Sequence, residues 1–118
     1  MAYRGPIRSA IAELAADGWR LWTSDAVRLE VLVQPQRTGR AEIVRAYEGL
    51  LAARDALPVT RTVFSDARAV AVDEGLKAMD AVHVSIARAH GCERFLTTDP
   101  HFRRLRCMEP RWIDLGRA

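Results

Sequence analysis

The sequence predicts an α/β fold, a mostly parallel sheet with helices on both faces. Three observations carry this expectation. Short apolar runs of strand length alternate with longer runs whose apolar residues recur at helical spacing. Start and stop residues punctuate the helical runs: Gly5-Pro6, Ser24 and Thr62 at openings, and Gly18, Pro35, Gly75 and Gly91 at ends. A chain of 118 residues with 49% hydrophobic content is also enough for one compact domain with a real core.

Taken in order, Gly5-Pro6 opens a helix whose apolar stripe is Ile7, Ala10, Ile11, Leu14 and Ala15, and Asp17-Gly18 ends it. Residues 19–23 read as a short strand. Ser24 then caps a helix over residues 25–33, stopped by Gln34-Pro35. Residues 40–54 form the next helix, with Ile43, Val44, Tyr47, Leu50 and Leu51 inward. Leu57-Pro58-Val59 is a brief strand. Thr62 caps a helix running to about Asp73, with Val63, Phe64, Ala67, Val70 and Ala71 facing the core. Residues 78–90 are good helix formers stopped by Gly91, and Met79, Val82, Ile86 and Ala89 make the buried stripe. Residues 94–97 form an apolar strand ending in Thr98-Asp99-Pro100, and Pro100 suits the first turn of another helix. Residues 112–115 read as a final strand. No repeat, low-complexity segment or linker interrupts the chain.

Composition narrows the function classes. No apolar run approaches the roughly 18 residues that a membrane span needs, and no signal-peptide core opens the chain. Cys92 and Cys107 lack a Cys-x-x-Cys or histidine-spaced partner, so reduced thiols in a cytoplasmic protein are expected rather than a zinc site. Net charge is +3, and all eighteen basic residues but Lys77 are arginine, whose planar fork suits phosphate. That excess permits nucleic-acid binding without showing it.

Three carboxylates stand out by position. Asp80 falls in the first turn of its helix, where unpaired amides and the positive helix end favour an anion. Asp99 closes a strand, and in open α/β sheets ligands bind at that end of the strands. Glu30 stands between Leu29 and Val31. Each has an ordinary alternative: Asp80 as a helix cap, Asp99 as a turn residue and Glu30 as a solvated helix glutamate. Hard cations such as Mg²⁺ or Mn²⁺ take oxygen ligands of this kind.

The stretch over residues 75–102, GLKAMDAVHVSIARAHGCERFLTTDPHF, closely resembles the C-terminal signature of PIN-domain ribonucleases of the VapC toxin type. The shared pattern is a Gly-Leu-Lys, an Asp-Ala-x-His helix start, a small-residue helix, Gly-Cys, and a strand ending in Thr-Thr-Asp. Ser24 and Glu30 match the Ser-x-x-x-x-x-Glu that such domains carry after their second strand. The resemblance implies a three-layer α/β/α domain, single over residues 1–118, holding Mg²⁺ or Mn²⁺ on Glu30, Asp80 and Asp99. Ser24, Thr97 and Thr98 would support the carboxylates or waters, while Arg103, Arg104 and Arg106 could line an RNA path. His83, one turn after Asp80, invites a general-base role, but a histidine there more often packs or hydrogen-bonds beside the site.

The match departs from the family at its start. PIN nucleases open with an apolar strand ending in a metal-binding aspartate, central in the sheet, and no equivalent lies in residues 1–20. Three accounts are open: a start placed downstream of the true one, a decayed toxin, or a strand supplied by a partner. Without that strand its neighbours would expose backbone groups costing about 1–3 kcal/mol each when buried. Fewer carboxylates would also hold the cation more weakly. The expected function is a metal-dependent endoribonuclease, the toxin of a VapBC-type pair with a VapB-like antitoxin and a homodimeric state, of low activity for want of the first aspartate. The competing expectation is a non-catalytic PIN-like module that binds an antitoxin or a second copy of itself.

Overall fold

A computed structural model of the protein describes residues 4–52 and 54–113. The chain divides into two compact units: Trp22–His90, and Met1–Leu21 together with Gly91–Ala118. Helices flank short parallel strands throughout, the mixed α/β architecture that the alternating pattern predicts.

In the unit Trp22–His90, β1 (Trp22–Ser24) pairs in parallel with β2 (Asp55–Leu57), placing Trp22 opposite Asp55 and Ser24 opposite Leu57. Two helices, α2 (Asp25–Arg37) and α3 (Ala41–Ala52), make the crossover that a parallel pair requires. Ser24 caps α2 as its sequence position predicts: its hydroxyl accepts from the Val27 N–H at 3.3 Å. The expected stop at Pro35 is overridden, and α2 runs on to Arg37. A proline this close to the end forfeits a single intrahelical bond. The last turn is closed instead by Thr38, whose hydroxyl donates to the Gln34 carbonyl at 2.9 Å, and by the Arg40 N–H on Pro35 at 2.9 Å.

The same unit continues with α4 (Arg61–Glu74) and α5 (Ala78–Ala89), which pack on one another. Gly75 ends α4 in the left-handed region at φ 68°, a conformation that costs any residue with a Cβ. The cap of α4 is Thr60 rather than Thr62, and its side chain makes no cap hydrogen bond. Val63, Ala67 and Val70 are buried as expected, but Phe64 is 58% exposed. On α5 the buried face is broader and differently centred than the predicted stripe. Ala81, Val82, Val84, Ser85, Ile86 and Ala87 are inside, whereas Met79 and Ala89 are exposed. The strands are also displaced from expectation: residues 19–21 lie outside β1, and β2 ends at Leu57 rather than continuing to Val59.

In the second unit, α1 (Arg4–Ala16) carries Ala10 buried and Ile7, Ile11 and Leu14 half-buried, while Ala15 is exposed. β3 (Arg94–Thr97) falls where the sequence places it and pairs in parallel with β4 (Glu109–Trp112), with Thr97 opposite Trp112. Between them, residues Pro100–Arg104 form a 3₁₀ turn whose Phe102 is buried and packs against Phe95 in a tilted pair, ring centroids 4.9 Å apart. The final strand thus begins earlier than residue 112. Ile113 follows it, its N–H bonded to the Thr97 carbonyl, and residues 114 and 115 lie outside the described residues.

Candidate active site

The unit Trp22–His90 holds Glu30, Asp80 and Ser24. Asp80 stands half-buried in the first turn of α5, a helix whose N-cap, Lys77, offers no side-chain cap bond. Its carboxylate therefore occupies the end of the helix where amide groups are unpaired. Three residues on, and so on a neighbouring part of the same face, His83 reaches across to α2 and hydrogen-bonds Glu30 through Nε2 and Oε2. An ionised carboxylate only accepts, so Nε2 is the nitrogen that carries the proton. The ring is well covered, at 11% side-chain exposure, whereas the glutamate is at 48%. His83 Nδ1 is buried with no partner among the described residues. Glu30 is thus neither a free surface glutamate nor a buried charge. One oxygen is anchored and the group remains open to solvent. Ser24 is almost fully buried at 3% exposure, and its hydroxyl is committed to capping α2.

The second unit holds the remaining candidates at the C-terminal end of β3. The Thr97 hydroxyl accepts from the Asp99 N–H at 3.0 Å. Asp99 Oδ1 in turn accepts from the His101 N–H at 2.9 Å, capping the 3₁₀ turn, and meets His101 Nδ1 at 2.8 Å. Asp99 is accordingly a cap, with its oxygens held at the strand end rather than loose in a turn. The Thr98 carbonyl accepts from the indole Nε1 of Trp112 at 3.3 Å. Arg103 lies over the Trp112 ring, its guanidinium carbon 4.4 Å from the centroid, and Arg104 and Arg106 are exposed.

Residues 2–106 match the family described as PIN domain. The chain belongs to the PIN domain family. PIN domains are nuclease-type proteins, in general dependent on divalent metal and acting on nucleic acid. No curated protein and no solved structure matches the chain. Among the described residues, no helix is long and apolar enough to cross a membrane.

Carboxylate oxygens are the donors that hard cations take. Glu30 and Asp80 lie on α2 and α5 of one unit, and Asp99 belongs to the other. Among the described residues, neither unit by itself gathers three His, Cys, Asp or Glu side chains into a group that could hold a metal ion. The oxygens are of the right kind, and the number that any one unit offers is small. The partner of His83 was beyond sequence reasoning, because 53 positions separate it from Glu30. The pairing of Arg103 with Trp112 was equally hidden, since it depends on the register of β4 against β3.

Proposed function

We propose that this PIN domain is a metal-dependent endoribonuclease, the toxin half of a toxin–antitoxin pair of the VapBC kind acting in the cytoplasm. The observation that carries the nuclease reading is the family match over residues 2–106. The finer assignment rests on the signature over residues 75–102 and on the Ser24/Glu30 spacing. Residues 1–118 act as one domain in this reading, and Asp80, Asp99 and Glu30 are the ligands of Mg²⁺ or Mn²⁺. When bound, a divalent cation supplies an activated water and neutralises charge on the phosphate being cut.

The chain's own groups do the rest. His83 fixes the orientation of the Glu30 carboxylate, and the Thr97 hydroxyl and the amide N–H of His101 fix the backbone and carboxylate of Asp99. Ser24 contributes by setting the start of α2, the helix that carries Glu30. Arg103, Arg104 and Arg106 offer charge to the RNA backbone. The test is cleavage of single-stranded RNA in Mn²⁺ by the chain and by Asp80→Asn and Asp99→Asn, alongside Mn²⁺ titration by calorimetry. Both variants should lose cleavage and bind the ion more weakly; cleavage equal to that of the parent would end the assignment.

A second reading, a non-catalytic module that binds an antitoxin peptide or a second copy of itself, is favoured by α2. That helix has no fully buried residue, and its Leu29 and Val33 are 58% and 38% exposed. Sedimentation of the chain alone and with antitoxin decides it: a monomer indifferent to antitoxin removes this reading.

A further inference from the structure

Two arginines of the second unit lie over tryptophan rings, and they differ in what else holds them. Arg94 sits 5.3 Å from the centroid of Trp19, is paired with Glu109 at 3.8 Å, and has a side chain only 25% exposed. Its charge is already answered. Arg103 is exposed, lies closer to its ring at 4.4 Å, and is paired with no carboxylate among the described residues. Its guanidinium carbon lies over the indole of Trp112, and the residue as a whole is exposed to solvent.

The position of this stack gives it meaning. Trp112 closes β4, lies opposite Thr97 in the ladder, and donates its indole N–H to the carbonyl of Thr98. Arg103 belongs to the 3₁₀ turn that Asp99 caps. The stack is therefore fastened on both sides of Asp99, by a hydrogen bond before it and by the chain after it. A planar cation backed by an aromatic ring is a surface on which a nucleobase stacks, and its forked N–H edge remains available to a phosphate.

We infer that Arg103, backed by Trp112, is a stacking platform for one base of a single-stranded nucleic acid, next to the phosphate presented to Asp99. The inference rests on the nuclease reading for its orientation, but the platform itself binds without metal. Arg103 takes a flat π-face of any sequence, so it positions the strand rather than reading it. Trp112 acts through Arg103 by holding its plane, and Arg104, which lies over no ring among the described residues, contributes charge alone.

The experiment measures binding in EDTA, where nothing is cut, so a failed platform and a failed nuclease assignment show up in different assays. The probes are a fluorescent uridine decamer, its thymidine counterpart, and an abasic ribose-phosphate decamer of equal charge, followed by anisotropy. Arg103→Lys, which keeps the charge and loses the plane, should weaken binding of both base-bearing probes about 5- to 150-fold, the range that loss of one stacked base spans. It should leave the abasic probe unchanged. Trp112→Leu should act in the same direction, with its fold checked by thermal melting, and Arg104→Lys should change neither class of probe. Equal weakening on base-bearing and abasic probes would reduce Arg103 to a point charge and overturn the platform. Unchanged binding of every probe by Arg103→Lys would overturn it as well.

Discussion

Ser24 was expected to support the chemistry, yet its hydroxyl is engaged by the backbone, and one substitution separates the two roles. In Ser24→Ala the Val27 N–H loses its acceptor and the first turn of α2 loses its cap. Replacing a serine cap by alanine costs about 1 kcal/mol, within a range of roughly 0.5–2. The 3.3 Å bond is long, which argues for the lower half of that range, whereas the 3% exposure of Ser24 leaves little room for water to take over. The two corrections oppose one another, and about 1 kcal/mol stands. With a urea m-value of about 1.5 kcal/mol per M, the unfolding midpoint should fall by roughly 0.7 M. Ser24→Gly, which keeps the backbone freedom a cap needs, should fall by only about a third of that. Ser24→Thr should stay near the parent. The assay is urea unfolding followed by far-UV circular dichroism, with RNA cleavage measured on the same preparations below the transition. If Ser24→Ala unfolds at the parental midpoint while losing cleavage, the hydroxyl serves the reaction and the capping account is wrong.

Two more expectations concern named groups. The Glu30–His83 contact joins a covered ring to a half-exposed carboxylate, so a double-mutant cycle with Glu30→Ala and His83→Ala should return a coupling of about 0.5–1 kcal/mol, discounted for solvent screening; a coupling of zero by urea unfolding would dissolve the pair. Burial pushes the Cys92 thiol up, so less of it is thiolate at pH 8 than of an ordinary cysteine. Iodoacetamide should therefore modify Cys92 in a Cys107→Ser background more slowly than free cysteine, gaining rate as pH rises past 9 by mass spectrometry; parity with free cysteine at pH 8 would contradict the burial effect.

What the sequence makes legible follows from the range of the forces involved. Caps and stops are written within four residues, so Ser24 before α2 and Gly75 after α4 fall where expected, although the cap of α4 is Thr60 rather than Thr62. Pro35 breaks the rule because the closing bonds come from Thr38 and Arg40, beyond the window in which a proline is read as a stop. Burial is less legible. Phe64 and Met79 have the spacing of core residues but end up exposed, while Ala81 and Ser85, small enough to be overlooked, are fully inside. Strand limits depend on which partner each run finds, and β4 is set by its register with β3 rather than by its own apolar residues. At the candidate site, the carboxylates were visible as residue types in suggestive places. Their partners were not, because a hydrogen bond such as His83 to Glu30 joins segments that only the folded chain brings together.

Small side chains make the packed faces of α4 and α5 lopsided in what they tolerate. Ala67 on one helix and Ala81, Ser85 and Ala87 on the other are buried, and there is little left to trim from any of them. Enlarging one would overpack the interior at about 1–3 kcal/mol and displace the helix that carries it. Asp80 and His83 ride on α5, so a methyl group added on its hidden side would turn both without touching either.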